Sequence, residues 1–381
     1  MKITDIKTFI IHPPSGKNLL FVKVETDEGI HGWGEAYTQA DRDKVIEIHI
    51  HQMARYLKGR SPFEIKHFTF WAYTDFTTKR GAMDAYSAIS GIEQAMWDIV
   101  GKAAEQPVYN LIGGPCRKKV RVYANGWGGG GDVATLQQRA KDVVARGFTA
   151  LKFDPFPSPW RAYIDQSQED FAVERVAAVR EAVGPDVEIL VEVHRRLAPM
   201  HAVRVARRIE QYRPYWYEEP VSSRDLDGLA ETRSQINIPV VTGEELYLKQ
   251  EFKTAFQLRA ADIINPDICA CGGILELREI AAMAETYHVA VSPHNYNSTT
   301  IGLAATIHAA ASMPNFIITE YFVNLEALGQ DIASPAFEVV DSHVELPERP
   351  GLGLELDEEA LAKYPYEPFP DRDIRHPQDE K

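Results

Sequence analysis

Ile189-Leu190-Val191-Glu192-Val193-His194 begins a segment in which three short apolar runs each lead into acidic residues. The second run, Tyr215-Trp216-Tyr217, leads into Glu218-Glu219, and the third, Ile238-Pro239-Val240-Val241, leads into Glu244-Glu245. Runs of this length that are rich in β-branched and aromatic residues are typical of buried strands. Because segments with a helical period separate them, the pattern predicts parallel strands with helices outside the sheet.

Glu192, Glu218 and Glu244 each follow the C-terminal end of one of these strands. In such folds the C-terminal ends of parallel strands meet at one mouth, where the chemistry takes place. Three carboxylates that meet there provide the oxygen ligands preferred by a hard divalent cation, and Mg2+ is the first choice. The sequence therefore predicts a Mg2+ site at this mouth.

Strand-like runs continue on both sides of this segment and predict a closed (β/α)8-type TIM barrel. Helical segments lie between the runs, for example Glu169–Val183, Met200–Tyr212 and Leu275–Tyr287. Eight βα units favour a closed barrel over an open Rossmann sheet. The eight runs are Val120–Ala124, Ala150–Phe153, Ile189–Val193, Tyr215–Tyr217, Val240–Thr242, Ile263–Asn265, Val289–Ser292 and Ile317–Thr319.

The pattern of residues 1–115 predicts a smaller α+β domain that precedes the barrel. We expect the barrel to span residues 116–338. The stretch from Ile3 to Tyr37 has the alternation and turns of a β-meander. Helical periods follow from Arg42 to Leu57 and from Met83 to Glu105. The segment 339–381 is rich in Pro and Gly, and we expect it to return to the N-terminal domain.

The composition limits the classes to which the protein can belong. Its 381 residues are 45% hydrophobic, but no apolar run approaches the roughly 20 residues that cross a bilayer. The start of the chain lacks a signal segment, and three cysteines without CxxC spacing suit a reducing compartment, so we expect a cytoplasmic protein. A formal net charge of -14 argues against nucleic-acid partners, and an anionic substrate would need local cations.

Ionisable residues stand at the C-terminal ends of the predicted strands from the second to the eighth. A barrel that served only as a scaffold would not concentrate charge there, because desolvated carboxylates are costly. Any one of these residues alone could cap a loop, but the set favours an active site. In strand order the residues are Lys152 and Asp154, Glu192 and His194, Glu218, Glu244, Asp267, His294 and Glu320.

The ordered set of motifs resembles the enolase superfamily, specifically its mandelate racemase-like branch. The resemblance covers nearly the whole chain, including Gly32-Trp33-Gly34-Glu35, Ala95-Met96-Trp97-Asp98, Trp216-Tyr217-Glu218-Glu219-Pro220, Asn265-Pro266-Asp267 and Pro293-His294. It implies a modified (β/α)7β barrel whose mouth is capped by the N-terminal domain, with the loop from Ile11 to Lys17 closing over the substrate.

The resemblance also implies roles for the residues at the mouth. Glu192, Glu218 and Glu244 would be the Mg2+ ligands. His294 and Asp267 would form a His–Asp dyad, and Glu320 would be the acid of the eighth strand.

Two positions depart from the family pattern. Glu192 stands where the family usually has Asp, and Lys152-Phe153-Asp154 stands where the racemases usually have Lys-x-Lys. The missing second lysine weakens the case for a racemase with Lys and His bases on opposite faces. His194 falls on the same strand face as Glu192, and the acid-sugar dehydratases that the chain resembles have a histidine there as general acid.

The expected reaction is a Mg2+-dependent dehydration of an acid sugar, an aldonate or aldarate, to a 2-keto-3-deoxy acid. His294 or Lys152 would remove the C2 proton, Mg2+ would hold the enolate, and His194 would protonate the departing hydroxyl. The small-molecule substrate is expected to contact Asp154, Arg195, Trp127 and His12. The resemblance also implies a symmetric homo-oligomer, between a dimer and an octamer.

Other functions stay open at this point. A racemase, an epimerase or a lactone cycloisomerase of an acid sugar would use the same metal and base. A catalytically silent sugar-acid binding protein is the alternative from another class, and the intact ionisable set argues against it. A zinc hydrolase is disfavoured because the cluster consists of carboxylates rather than histidines.

Overall fold

The fold is taken from a computed structural model, which describes residues 1–14, 16–75 and 82–371. The N-terminal part is an antiparallel three-stranded sheet in sequence order, covered by helices. None of the described helices is both long and apolar enough to cross a membrane. The elements are β1 (Ile3–Ile11), β2 (Leu19–Thr26), β3 (His31–Ala36), α1 (Asp43–Leu57), α2 (Ile65–Thr74), α3 (Met83–Ala103) and α4 (Val108–Leu111).

Strand β2 is buried on both faces, which explains its continuous apolar sequence. Leu20 and Val22 pack against the cap helices, whereas Leu19 and Phe21 belong to the core shared with the barrel. Helix α3 packs so closely on β3 that a Cβ atom on Gly34 would stand 1.8 Å from the carbonyl oxygen of Gly91. The Gly-Trp-Gly motif in β3 is therefore a packing requirement of the cap.

Helix α2 is absent from the sequence predictions. Its Phe, Thr, Trp and Tyr residues favour strands when judged by intrinsic preference alone. It nevertheless forms a helix, because Ile65, Phe68 and Ala72 fall on one side and are buried in the cap core. Burial of this apolar face outweighs the weak local preference.

The barrel is made of parallel strands that pair in the order β10-β9-β8-β7-β6-β5-β4-β11 within the described chain. A bridge between Val291 and Phe316 links β10 to the segment before β11 and closes the ring. This confirms the predicted barrel with an N-terminal cap. The strands are β4 (Lys119–Asn125), β5 (Ala150–Phe153), β6 (Glu188–Glu192), β7 (Trp216–Glu218), β8 (Val240–Thr242), β9 (Ile263–Ile264), β10 (Ala290–Val291) and β11 (Thr319–Phe322).

Each barrel strand is followed by a helix, and the last of these has only 7 residues. Proline begins α7, and Asp165 caps the start of α6 through the backbone N–H of Gln168. The helices are α5 (Val133–Ala145), α6 (Gln166–Val183), α7 (Pro199–Ile209), α8 (Leu226–Ser234), α9 (Lys249–Leu258), α10 (Ile274–Thr286), α11 (Ile301–Ala311) and α12 (Glu326–Ile332).

The C-terminal segment contacts both parts of the chain. Strands β12 (Ala333–Ser334) and β14 (Glu355–Leu356) pair with each other, and β13 (His343–Glu345) pairs antiparallel with barrel strand β4. The backbone N–H of Val108 in the cap donates to the carbonyl oxygen of Gly351, and Pro365 forms a bridge with Ile11. A short helix, α13 (Glu358–Leu361), lies between these contacts.

Inside the barrel, an apolar layer of side chains is followed by a mostly polar layer two residues further along seven of the strands. Tyr123, Ala150, Leu190, Trp216, Val241, Ile263 and Ile318 form a separate buried apolar cluster contributed by successive strands. Side chains two residues apart share a strand face, so the next inward positions are Asn125, Lys152, Glu192, Glu218, Gly243, Asn265 and Glu320. The apolar layer therefore lies directly beneath a layer of mostly polar side chains at the C-terminal ends of the strands.

Candidate active site

The three glutamates predicted as metal ligands converge. Glu192, Glu218 and Glu244 each offer a carboxylate oxygen, and these atoms lie within 4.8 Å of one another. One oxygen of each group is held by the protein: Glu192 Oε1 by the N–H of His194, Glu218 Oε1 by Lys152 and Glu244 Oε1 by Arg195.

The second oxygen of Glu218 indicates why a cation fits this site. Glu218 Oε2 is buried and has no hydrogen-bond partner among the described residues. Burial, and then the neighbouring charge of Glu192, raise the pKa of the Glu218 carboxyl well above its usual range. A set of converging carboxylate oxygens with a buried acceptor left over suits a hard divalent cation.

Lys152 is the internal cation of the cluster. Its Nζ lies 2.8 Å from Glu218 Oε1, 2.8 Å from Glu320 Oε1 and 3.5 Å from Glu192 Oε2. Burial alone would lower the pKa of Lys152, but Glu218 and Glu320 outweigh it and raise that pKa well above its usual value. The three N–H groups of an ammonium match three carboxylates, so the lysine serves as a counter-charge.

His294 and Asp267 form the predicted pair. His294 Nδ1 lies 2.7 Å from Asp267 Oδ2, and the other oxygen of Asp267 accepts the N–H of Cys269 at 2.8 Å. His294 Nε2 faces the cluster, 3.4 Å from Glu244 Oε2 and 3.6 Å from Glu320 Oε2. Burial lowers the pKa of His294, but the charges of Glu320 and Asp267 outweigh burial, so the net shift is upward.

Glu320 is completely buried between the lysine and two asparagines. Besides Lys152, it accepts Asn125 Nδ2 at 2.7 Å and the backbone N–H of Asn295 at 3.1 Å. Burial opposes its ionisation, but Lys152 and His294 outweigh burial and lower the pKa of this carboxyl. Sequence reasoning did not assign roles to Asn125, Asn265 or Asn295. For Asn125 and Asn265 the available signal was their position two residues after inward apolar residues.

His194 lies at the edge of the cluster in a left-handed conformation, with φ of 54°. Its Nδ1 is 2.8 Å from Asp154 Oδ2, and its ring stacks on Trp160 with centroids 5.0 Å apart. Trp160 comes from the loop after β5 and was not predicted as a site residue. The side chain of His194 is 32% exposed, in contrast to the deeply buried His294.

A cleft of about 1580 Å³ lies between cap and barrel and reaches both histidines. Barrel residues His194, Arg195, Glu244 and His294 line it, and the cap contributes Tyr37 and Lys17. The Tyr37 ring is 6.2 Å from the ring of His294, and Lys17 Nζ lies 4.0 Å above the ring of Tyr296, which stacks on His294. The cap therefore supplies part of the wall around the proposed base.

The predicted substrate contacts do not all lie in this cleft. Arg195 lines it and pairs with Glu244 and Glu245, whereas Asp154 lies behind His194. Trp127 is 6% exposed, packs on Phe153 and is not among the residues that line the cleft. His12 bonds Asn18 at 2.9 Å and lines a separate small cavity with Glu367 and Phe369. Substrate contacts by Asp154, Arg195, Trp127 and His12 remain predictions.

Comparison with known proteins identifies the same architecture from sequence. Residues 9–113 match the family described as "Mandelate racemase / muconate lactonizing enzyme, N-terminal domain", and residues 135–360 match "Enolase C-terminal domain-like". D-gluconate dehydratase of Thermoproteus tenax is 37% identical over 352 residues, which cover 92% of this chain and 70% of that protein. D-galactonate dehydratase of Xanthomonas euvesicatoria pv. vesicatoria is 34% identical over 370 residues, covering 95% and 94%.

Solved structures agree with these matches. A mandelate racemase/muconate lactonizing enzyme from Sulfitobacter superimposes with a TM-score of 0.90 at 34% identity. The alignment covers 96% of this chain and 96% of that chain.

Proposed function

The chain belongs to the mandelate racemase/muconate lactonizing enzyme family of the enolase superfamily, and on this basis we propose that it is a Mg2+-dependent acid-sugar dehydratase. The substrate is an aldonate or aldarate, and the product is the 2-keto-3-deoxy acid. Relatives at 34–37% identity that bear the names of aldonate dehydratases support the substrate class.

One observation carries the choice of dehydration. Two histidines line the same cleft, and each is bonded through Nδ1 to an aspartate. Because a carboxylate only accepts, each Nδ1 carries a hydrogen and each Nε2 is left for the substrate. One histidine can then act as base and the other as acid, which is the pair that the elimination of water requires.

The proposed reaction uses the two Nε2 atoms in turn. His294 Nε2 takes the proton from C2, and the electron pair of that C–H bond forms the C2–C3 double bond. The C3–O bond breaks as His194, which in this step starts with a proton on each ring nitrogen, gives the Nε2 proton to the departing hydroxyl, which leaves as water. His194 keeps its Nδ1 hydrogen, which stays bonded to Asp154. The remaining enol tautomerises to the 2-keto-3-deoxy acid, so the net change is loss of one water molecule.

Glu192, Glu218 and Glu244 are the residues that would hold the cation. When bound, Mg2+ would offset the negative charge that develops on the substrate carboxylate as C2 loses its proton. The chain itself contributes Lys152, which keeps two of these carboxylates and Glu320 in place. Arg195 lines the cleft beside Glu244, to which it donates, and is a protein cation in position to meet an anionic substrate.

The geometry of Lys152 supports dehydration over two-base racemisation. An ammonium bonded to three carboxylates has no lone pair with which to abstract a proton, so His294 is the base in this proposal. Asp154, in place of a second lysine, bonds His194. The second candidate function, the runner-up, is a racemase, epimerase or lactone cycloisomerase of an acid sugar. The homo-oligomer and the cytoplasmic location stay predictions.

A panel of aldonates and aldarates incubated with the protein and Mg2+ tests the proposal. The panel should contain D-gluconate and D-galactonate, and a colour assay for 2-keto-3-deoxy acids detects the product. Dehydration of at least one member is the expected result. The His294→Asn variant, which removes the base, is the matched negative control. Absence of product across the panel, with the substrate isomerised instead, would favour the runner-up.

A further inference from the structure

Asp154 lies at the centre of a polar network behind His194, and protein donors already occupy its carboxylate. His194 Nδ1 lies 2.8 Å from Asp154 Oδ2, and the guanidinium of Arg196 donates to the same oxygen. The other oxygen accepts the backbone N–H of Phe156 at 2.9 Å. Since a carboxylate offers about four lone-pair sites, most of its capacity is used inside the protein.

Arg196 fixes the position of Asp154 from the other side. Its side chain is only 3% exposed, and its Nε donates to the carbonyl oxygen of Val193 at 2.7 Å. The guanidinium also lies 4.8 Å from the centre of the Trp160 ring. A buried arginine held at the backbone and against an aromatic ring gives the carboxylate one orientation.

His194 is constrained in the same way. Its backbone N–H donates to Glu192 Oε1 at 2.6 Å, and its ring lies on Trp160 with 16° between the planes. The bond to Asp154 keeps the hydrogen on Nδ1. Nε2 has no hydrogen-bond partner in the described part of the chain, so it is the atom that the network leaves for the substrate.

We propose that Asp154 is a positioning residue for the general acid: it holds the ring of His194 in the orientation that directs Nε2 at the departing hydroxyl, and it does not bind the substrate itself. This inference rests on the proposed dehydration. The cleft then contains two matched His–Asp pairs. Asp267 orients the histidine that breaks the C–H bond, and Asp154 orients the histidine that assists cleavage of the C–O bond.

The test separates the two bonds. Asp154→Ala is compared with the wild type and His194→Asn on the acid sugar that the wild type dehydrates and on its 3-deoxy-3-fluoro analogue. Loss of an orienting partner costs about 10–100-fold, so kcat for the natural substrate should fall by that factor with little change in KM. Exchange of the C2 proton in D2O should continue, and the fluoro analogue, whose fluoride leaves without a proton, should react within a few-fold of the wild-type rate.

Asp170→Asn is the matched control, because Asp170 lies on α6, is 51% exposed and, among the residues that the structure describes, pairs only with Arg208 at the surface. It should leave all three rates unchanged. Retained C2 exchange in Asp154→Ala also shows that this variant is folded around an intact base and metal site.

Four outcomes would overturn the inference. Equal loss of exchange and dehydration, or equal loss on both substrates, would mean that Asp154 only supports the fold. Wild-type kcat in Asp154→Ala would mean that it has no role. If the wild type neither exchanges nor dehydrates any acid sugar, the proposed function fails and this inference with it.

Discussion

Replacement of Asp267 by asparagine should reverse the tautomer of the proposed base while keeping the shape of the site. Asp267 Oδ1 accepts the N–H of Cys269 at 2.8 Å, and Oδ2 lies 2.7 Å from His294 Nδ1. The Cys269 N–H at Oδ1 is a closer donor than the Tyr296 N–H, which lies 3.4 Å from Oδ2, so the asparagine keeps its oxygen toward Cys269 and turns its Nδ2 toward the histidine. The amide then donates to Nδ1, the ring hydrogen moves to Nε2, and that atom loses the lone pair that accepts the C2 proton.

Two energies set the size of the expected loss. In the variant, the tautomer that leaves Nε2 free to accept the proton has its hydrogen on Nδ1. That N–H would face the Nδ2 amide of the asparagine, and a buried donor left unpaired costs about 1–3 kcal/mol. The variant also loses a hydrogen bond from the charged imidazolium to a carboxylate, worth about 1.5–3 kcal/mol. Together they amount to about 2.5–6 kcal/mol, and about 1.36 kcal/mol is a factor of ten in rate. We therefore expect kcat to fall by about 10²–10⁴.

The assay measures C2 exchange in D2O and formation of the 2-keto-3-deoxy acid on the same samples. Both rates should fall by the same factor in Asp267→Asn, since removal of the C2 proton precedes loss of the hydroxyl. Asp262→Asn is the control at the other end of the same strand, where the carboxylate accepts the backbone N–H of Val240 at 3.0 Å, and it should retain the wild-type rates. If Asp267→Asn keeps rates within tenfold of the wild type, or loses dehydration while C2 exchange continues, then Asp267 does not set the tautomer of His294.

Four further changes test other parts of the account. His194→Asn should keep C2 exchange but lower dehydration by about 10²–10⁴-fold, as followed by NMR and the colour assay. Glu218→Gln should abolish the rise in melting temperature that Mg2+ gives the wild type, because only a ligand bound by the folded state stabilises it. Glu93→Ala should lower the free energy of unfolding, measured in urea, by about 3 kcal/mol. The Glu93 carboxylate accepts two backbone N–H groups at the start of α10, at 2.7 and 2.9 Å, and each buried donor left unpaired costs about 1–3 kcal/mol. Burial raises the pKa of the Glu35 carboxyl from 4.5 to about 7, so the folded state binds this proton more tightly than the unfolded state does. The free energy of unfolding of the wild type, measured relative to Glu35→Gln, should therefore fall as pH rises from 4.5 through about 7.

Each of these changes also has an outcome that contradicts it. Full dehydration by His194→Asn would remove the general acid from the scheme. An unchanged Mg2+ effect on the melting temperature of Glu218→Gln would place the cation elsewhere. A Glu93→Ala protein as stable as the wild type would mean that α10 is capped by other groups, and a pH-independent difference for Glu35→Gln would mean that this carboxyl is ionised in the folded protein.

Strand order and the position of the site could be predicted because both follow from local patterns. The runs that end at Glu192, Glu218 and Glu244 are buried strands whose acidic ends meet at one mouth, as parallel pairing requires. The same alternation explains why the site extends to Asn125 and Asn265. These two positions could have been found by counting two residues on from each inward apolar residue.

The contacts of long side chains and loops could not be predicted in this way. The bonds of Asp154 to His194 and Arg196, for example, depend on the left-handed turn after β6. Trp160 reaches His194 from a loop without periodicity. Tyr37 comes from the cap, and its distance from His294 depends on how the cap docks on the barrel. Neighbours that are far apart along the chain and lie on irregular segments leave no periodic signal.

The docking of the cap itself depends on buried carboxylates. Glu93 of α3 accepts the N–H groups that begin α10, and Glu35 of β3 accepts Ser298 Oγ at 2.7 Å and the N–H of Gly302 at the start of α11 at 2.8 Å. Two cap glutamates therefore fill positions at the N-termini of barrel helices, where acceptors are needed. These contacts hold the cap, and with it Tyr37, in position beside His294.

Dehydration by His294 and His194 is tested most directly by an NMR spectrum of the reaction in D2O with Mg2+ and an acid sugar from the panel. Removal of the C2 proton by His294 and loss of the C3 hydroxyl to His194 predict a 2-keto-3-deoxy acid with one solvent deuterium at C3. Recovered substrate with deuterium at C2 and no keto acid would contradict dehydration and support an epimerase. An unchanged spectrum for every acid sugar would contradict the assignment of an enzyme and support the sugar-acid binding protein.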